Sequence, residues 1–171
     1  MIRGRTRGRS ATSVRRDTPK VCVELREKHA DIVVVLTDSD DQRWRDALTE
    51  ERRGVPGESE HCVICGVAAR NVECWLVLNR PHAAKALGVD EGRLDADDPK
   101  SVVHRALGIS SRDLKPEEKV EKIAEIVRTM PPLGPVLQGN TDAARSLKQL
   151  YEDARDCAQR HGCGDFPNEL E

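Results

Sequence analysis

Residues 32–41 read IVVVLTDSDD, and this stretch decides the fold because an apolar run ends directly in a cluster of acids. Its first five residues are apolar and almost all β-branched, with no polar residue between them, which is typical of a strand buried on both faces of a parallel sheet. In open α/β sheets, ligands bind beyond the carboxyl ends of the strands. The sequence therefore predicts a buried strand that ends in a functional site.

The acids at the end of this strand have two interpretations. Asp38 and Asp40 are two residues apart, so their side chains point to the same side of an extended backbone. Two carboxylates held this close suit Mg²⁺, which binds through one or two carboxylates and keeps several waters. Alternatively, the acids from Asp38 to Asp41 cap the following helix, since Asp satisfies free N–H groups and favours the helix dipole. The residue pattern alone leaves both interpretations open.

Length and charge define the expected domain organisation. A chain of 171 residues is long enough for one well-buried domain. Residues 1–20 carry six Arg and one Lys against one Asp, a net charge of +6, which leaves −8 for the rest of the chain. We therefore expect a basic flexible arm at residues 1–17 and a single domain over residues 18–171. The arm either binds phosphate groups or is a solvated tail.

Composition narrows the class of protein. Two Trp, one Tyr and one Phe supply few stacking platforms, which disfavours an aromatic RNA-binding sheet. The chain has no apolar run long enough to span a membrane, and its N-terminus lacks the apolar region of a signal peptide. We therefore expect a cytoplasmic protein with no membrane segment.

Strand and helix patterns alternate in the first half of the chain, and helices dominate the second half. Pro19 suits the first turn of a helix, and residues 61–67 (HCVICGV) form a second apolar strand. The next helix, over about residues 69–78, would carry Glu73 near the carboxyl edge of the sheet, unless this Glu lies on the solvent face. The other predicted helices cover residues 41–53, 81–87, 99–107, 116–130 and 141–160.

The cysteines offer a competing zinc interpretation. In a reducing compartment we expect thiols or metal ligands and no disulfides. Five soft ligands are available for a structural Zn²⁺ site, namely Cys62, Cys65, Cys157, His161 and Cys163. However, two cysteines three residues apart in a strand point to opposite faces and behave as small apolar residues. The pattern therefore disfavours zinc.

Several segments together resemble the Toprim-like proteins of the RloB type. They are LTDSDD (36–41) after the Val-rich strand, HCVICGVAA (61–69), NVECWLVLN (71–79) and DDPKSVVHRALG (97–108). The resemblance spans residues 18–110 and implies a small doubly wound α/β domain with a mainly parallel sheet, followed here by a helical C-terminal half. In this family a Glu on a first strand and a later DxD bind Mg²⁺ for phosphodiester chemistry.

The resemblance also implies site residues, a cofactor and partners. Asp38 and Asp40 match the DxD, Glu73 and Trp75 match an acidic helix block, and Lys100 matches a lysine that follows a DP pair. The implied metal ligands are Asp38, Asp40 and Glu73, with Mg²⁺ as the cofactor and Mn²⁺ as the alternative ion. The implied partners are nucleic acid and an ATPase from a bacterial defence locus. One departure is that residues 1–17 contain neither the first strand nor its Glu.

These implications lead to two hypotheses of different classes. The first is a Mg²⁺-dependent nuclease subunit, in which Asp38, Asp40, Glu73 and Lys100 perform phosphodiester cleavage. The second is a catalytically inactive adaptor or regulatory module, which the missing Glu favours. The nuclease hypothesis predicts that Glu73 approaches Asp38 or Asp40, and that at least one carboxylate has a raised pKa because like charges repel.

Overall fold

The structure is a computed structural model, and it describes residues 11–55, 62–94, 98–108 and 116–162. The elements within these ranges are α1 (Ala11–Glu27), β1 (Ile32–Asp38), α2 (Trp44–Arg53), β2 (Cys62–Ala68), α3 (Glu73–Leu76), α4 (Arg80–Leu87), a short 3-10 helix (Glu91–Arg93), α5 (Pro99–Ala106), α6 (Pro116–Arg128), α7 (Gly134–Leu137) and α8 (Asp142–Arg160). None of these helices is both long and apolar enough to cross a bilayer.

The two strands form a parallel pair, which confirms the predicted mixed α/β class and the parallel arrangement. The register runs from Ile32 opposite Cys62 to Asp38 opposite Ala68. Both strands therefore end at the same edge of the sheet. In the described part of the chain the sheet contains these two strands alone, so the coarse α/β fold is present while the doubly wound sheet is not seen.

The prediction that β1 is covered on both faces is wrong. Side chains alternate between the faces of a strand, and Val33 and Thr37 point into the core with 4% and 5% of their surface exposed. Val34 and Leu36 lie on the other face and are 53% and 50% exposed. On that face α8 packs mainly against β2, where it contacts Ile64, and leaves the β1 side chains uncovered.

The core-facing side of the sheet packs against α1 and α2. Trp44 and Ala47 of α2 are buried against Cys65 and Val67 of β2, and Cys22 of α1 packs beside β1. A second apolar cluster joins α4, α5 and α6 through buried residues that include Ala83, Leu94, Val103 and Ile126. This second cluster fixes α5, which lies against α3 at the edge of the sheet.

Two predicted boundaries differ from the structure. Helix α1 begins at Ala11, so Pro19 lies inside a helix, and residues 11–17 of the predicted arm are helical. Residues 1–10 of that arm lie outside the described residues. The helix predicted over residues 69–78 is reduced to the single turn of α3, because β2 extends to Ala68 and Arg70 adopts a left-handed conformation.

The remaining helices except α7 confirm the sequence patterns. Helix α2 ends at Arg53 with Gly54 immediately after it. Four helices of the second half, α4, α5, α6 and α8, lie within two residues of their predicted bounds, while α7 forms in a segment for which no helix was predicted. Three of these helices have a side-chain cap at the N-terminus. In α4, α5 and α8 a backbone N–H of the first turn donates a hydrogen bond to the side chain of Asn79, Asp98 and Thr141, respectively.

Candidate active site at the carboxyl edge of the sheet

The two chain segments that leave the strands are bonded to each other beyond the sheet. The N–H of Ser39 donates to the Ala68 carbonyl at 3.0 Å, and the N–H of Asp40 donates to the Arg70 carbonyl at 2.9 Å. The N–H of Arg70 in turn donates to Ser39 Oγ at 2.8 Å. Asp40 and Arg70 have φ values of 50° and 68°, a strained conformation for residues other than glycine that often occurs at functional sites.

Asp38 holds the turn that leads into α3. Its Oδ1 accepts a hydrogen bond from the N–H of Val72 at 3.0 Å. Helix α2 instead begins at Trp44, and its N-cap residue, Arg43, forms no side-chain cap hydrogen bond. Asp38 therefore does not cap the helix that follows it, and that alternative interpretation is wrong for this residue. The contact joins the end of β1 to the residue just before Glu73.

Glu73 is buried at the start of α3 and is bonded to a histidine. It is 8% exposed, so the alternative that placed it on the solvent face is wrong. Its Oε1 lies 2.6 Å from Nε2 of His104. Within the described part of the chain, its Oε2 is buried and has no hydrogen-bond partner. A buried carboxylate oxygen without a partner is costly, and a cation or a donor supplied by a ligand would satisfy it.

His104 and Lys100 reach this edge from α5. They are four residues apart, so they lie on the same face of the helix. The side chain of His104 is 28% exposed, while Lys100 is exposed to solvent. Helix α5 thus adds a partly buried hydrogen-bonding group and an exposed positive charge to the carboxylates of the sheet edge.

The neighbouring residues of this group shift the pKa of Asp38. Burial raises the pKa of Asp38, and the hydrogen bond from Val72 opposes that effect. The charges of Glu73 and Asp40 raise the pKa of Asp38 further, while Lys100 lowers it. The predicted raised pKa is confirmed, although burial and not like-charge repulsion is its largest cause. Asp40, Glu73 and Lys100, the other three residues predicted from sequence, thus each influence the pKa of Asp38.

A buried serine on α8 fixes the position of the strand end and of α3. Ser146 Oγ accepts hydrogen bonds from Trp75 Nε1 at 2.9 Å and from the Ala69 N–H at 3.3 Å, and it lies 3.0 Å from the Ala143 carbonyl. Ser146 is 2% exposed. Through these contacts the C-terminal helix holds the segment that carries Glu73.

The carboxylates do not form a ready-made metal triad. Across the described ranges, no three His, Cys, Asp or Glu side chains are placed together as metal ligands. The predicted set of Asp38, Asp40 and Glu73 is thus gathered at one edge without forming a three-residue cluster. Mg²⁺ needs only one or two protein carboxylates, because waters complete its octahedron.

The zinc interpretation loses support at the positions that the structure describes. Cys65 is buried, and burial raises its pKa to about 12, whereas zinc requires a thiolate. Cys157 is disulfide-bonded, so the expectation of no disulfides is wrong for this residue. Cys157 lies where α8 packs on β2, in a cluster with Ile64. The spacing of the cysteines in the sequence does not show that these two elements are in contact. The Cys62 side chain and Cys163 lie outside the described residues.

Sequence reasoning missed three residues of the site. His104 stands inside the quoted segment DDPKSVVHRALG, and its distance of four residues from Lys100 was the signal that both share one helix face. Ser39 lies between the two predicted acids and was not among the predicted site residues. Arg70 gave no signal, because its left-handed backbone depends on the packing of the two strand ends.

No protein-family model, no curated protein and no solved structure matches this chain. The function must therefore be argued from the geometry of the site itself.

Proposed function

We propose that this protein is a Mg²⁺-dependent phosphodiesterase that cleaves nucleic acid. The observation that carries the proposal is the hydrogen bond between buried Glu73 and partly buried His104, beside the half-buried carboxylate of Asp38. Catalytic sites often contain ionisable groups whose pKa is shifted by burial and by nearby charges. In open α/β sheets such sites lie at the carboxyl ends of the strands. The Toprim-like resemblance supplies the reaction class.

The chemistry of the carboxylates fits a divalent cation. Glu73 presents a buried oxygen without a partner in the described part of the chain, and the charges of Glu73 and Asp40 both raise the pKa of Asp38. Asp38 and Glu73 would hold the ion, with Asp40 close by. Mg²⁺ bound there supplies Lewis-acid stabilisation of the negative charge that develops on the phosphate.

His104 is the residue best placed to move a proton. An ionised Glu73 can only accept a hydrogen bond, so Nε2 of a neutral His104 donates to it. This arrangement fixes the tautomer and leaves the lone pair of Nδ1 free to accept a proton from an attacking water. Lys100, on the same face of α5, is placed to pair with a phosphate oxygen of the substrate.

The finer identity of the fold and its partners belongs to the same proposal. We infer that β1 and β2 are the central strands of a Toprim-like, doubly wound unit, whose DxD is Asp38 and Asp40. An ATPase partner follows from the resemblance to defence-locus proteins. The basic residues 1–10, which lie outside the described residues, would offset the repulsion between an acidic body and a nucleic acid.

A cleavage assay with matched variants tests the proposal. Labelled single- and double-stranded DNA and RNA are incubated with the protein and Mg²⁺ or Mn²⁺. We expect Asp38→Asn and His104→Gln to lower the rate by roughly a hundredfold or more. The control is Asp31→Asn, which removes the same charge at the opposite end of β1. Intact substrates with the unmodified protein, or equal rates in all variants, contradict the proposal.

One observation favours the adaptor hypothesis as a second candidate. Three metal-ligating side chains are not placed together in the described ranges, as expected of a fold that has lost its chemistry. This function predicts that the protein binds its protein partner with no dependence on Asp38. Partner binding that survives Asp38→Asn, together with no cleavage of any substrate, would favour this candidate.

A further inference from the structure

A cavity of about 440 Å³ lies immediately beside the candidate site. Ser39 and Cys74, the chain neighbours of Asp38 and Glu73, line one wall of it, and Pro99, the neighbour of Lys100, lines another. The volume is in the range of pockets that hold small organic molecules. The proposed catalytic side chains themselves are not among its lining residues.

Three arginines line this cavity, namely Arg43, Arg70 and Arg80. They come from three separate segments: the start of α2, the turn after β2 and the start of α4. Arg80 donates a hydrogen bond to the Leu94 carbonyl, while Arg43 and Arg70 form no salt bridge within the described ranges. Guanidinium groups bind the oxygens of phosphate in a bidentate manner.

One acid lines the cavity among the residues that the structure describes. It is Asp142, which lies 3.8 Å from Nη1 of Arg145. Arg70 also lies near Asp98, whose low pKa is caused first by its hydrogen bonds with Ser101 and only in part by the Arg70 charge. The described lining residues therefore carry three positive charges and one negative charge, a net charge of +2, whereas the body of the protein is acidic.

The rest of the lining is largely apolar. It includes the side chains of Trp44, Val77 and Leu78, which can cover the flat body of a ligand. A ligand that contacts both the arginines and the apolar lining has a phosphate at one end and an apolar or planar group at the other. Inorganic phosphate alone would leave the apolar wall in contact with water.

We propose that this cavity binds a nucleoside monophosphate unit, with its phosphate on Arg43 and Arg70 and its base against the apolar wall. The choice of a nucleoside body rests on the proposed function, whereas the need for a phosphate rests on the arginines. The unit would be the nucleotide next to the phosphodiester that is cleaved.

Calorimetric titration with adenosine 5′-monophosphate, without divalent metal, tests the inference. We expect binding that weakens roughly tenfold or more in Arg43→Gln and in Arg70→Gln, because each loses a charge-assisted contact. The control is Arg53→Gln, which removes the same charge at the other end of α2 and should bind as the unmodified protein does. Circular dichroism of each variant verifies the fold.

Adenosine and inorganic phosphate test separately whether the base and the phosphate contribute to binding. Adenosine and inorganic phosphate should each bind at least tenfold more weakly than the monophosphate. Equal binding of inorganic phosphate, no binding of the monophosphate, or binding unchanged in both arginine variants overturns the inference. Since the titration needs neither metal nor cleavage, binding without cleavage refutes only the proposed activity, and cleavage without binding refutes only the cavity assignment.

Discussion

Replacing Ser146 by alanine should destabilise the protein strongly, although it removes a single oxygen atom. Ser146 Oγ accepts from Trp75 Nε1 and from the Ala69 N–H, at 2.9 Å and 3.3 Å, in a buried position. Each buried donor left without an acceptor costs about 1–3 kcal/mol. Because the longer contact is the weaker one, we expect a loss of about 2–4 kcal/mol in the free energy of unfolding.

Urea denaturation followed by circular dichroism measures this loss. A slope of about 2 kcal/mol per molar urea converts it into a midpoint lowered by about 1–2 M. Thr49→Ala is the control, because it deletes an exposed helical hydroxyl that bonds only its own helix at the Arg45 carbonyl and should change stability by about 0.5 kcal/mol at most.

A double-mutant cycle isolates the indole contact. Trp75→Phe removes the donor, so Ser146→Ala should cost about 1 kcal/mol less in that background than in the unmodified protein. Equal midpoints for Ser146→Ala and Thr49→Ala, or a cycle with no coupling, would refute the claim that this serine holds the segment carrying Glu73.

Three further predictions concern the sheet and its edge. The pKa of Asp38 is raised on folding, so ionisation of this residue lowers the stability of the protein as the pH rises above 3.8. In urea titrations, Asp38→Asn should therefore be more stable than the unmodified protein at pH 7 and equally stable near pH 3. Gly66→Ala should cost about 1–3 kcal/mol in the same assay, since its Cβ would lie 2.7 Å from Leu36 Cδ2. Cys22 and Cys65 are buried free thiols with raised pKa values; a chromogenic disulfide reagent at pH 8 should modify them only after denaturation.

Local patterns predicted the parts of the fold that depend on local chemistry. The apolar runs around Val33 and Ile64 became parallel strands. Helices in the second half follow from amphipathic spacing and from caps such as Asp98 and Thr141. Helix α1 was predicted to begin too late because Pro19 was read as a start signal, although it lies inside the helix.

Long-range contacts explain what could not be predicted. The exposed face of Val34 depends on how far α8 reaches across the sheet, and apolar sequence alone does not show this. Glu73 and Asp38 were predicted to lie near each other because both follow parallel strands, and the charge of Glu73 contributes to the raised pKa of Asp38. The pairing of Glu73 with His104 joins residues 31 positions apart through the packing of α5 on α3, which no local pattern specifies.

The most direct test of the account is a calorimetric titration of the metal-free protein with Mg²⁺, repeated with Mn²⁺. We predict one binding event that disappears in Asp38→Asn and in Glu73→Gln and persists in Asp31→Asn, which removes a charge at the far end of β1. The variants should remain folded by circular dichroism. No binding heat from the unmodified protein, or the same heat from all four proteins, would contradict the claim that the sheet edge holds a divalent cation.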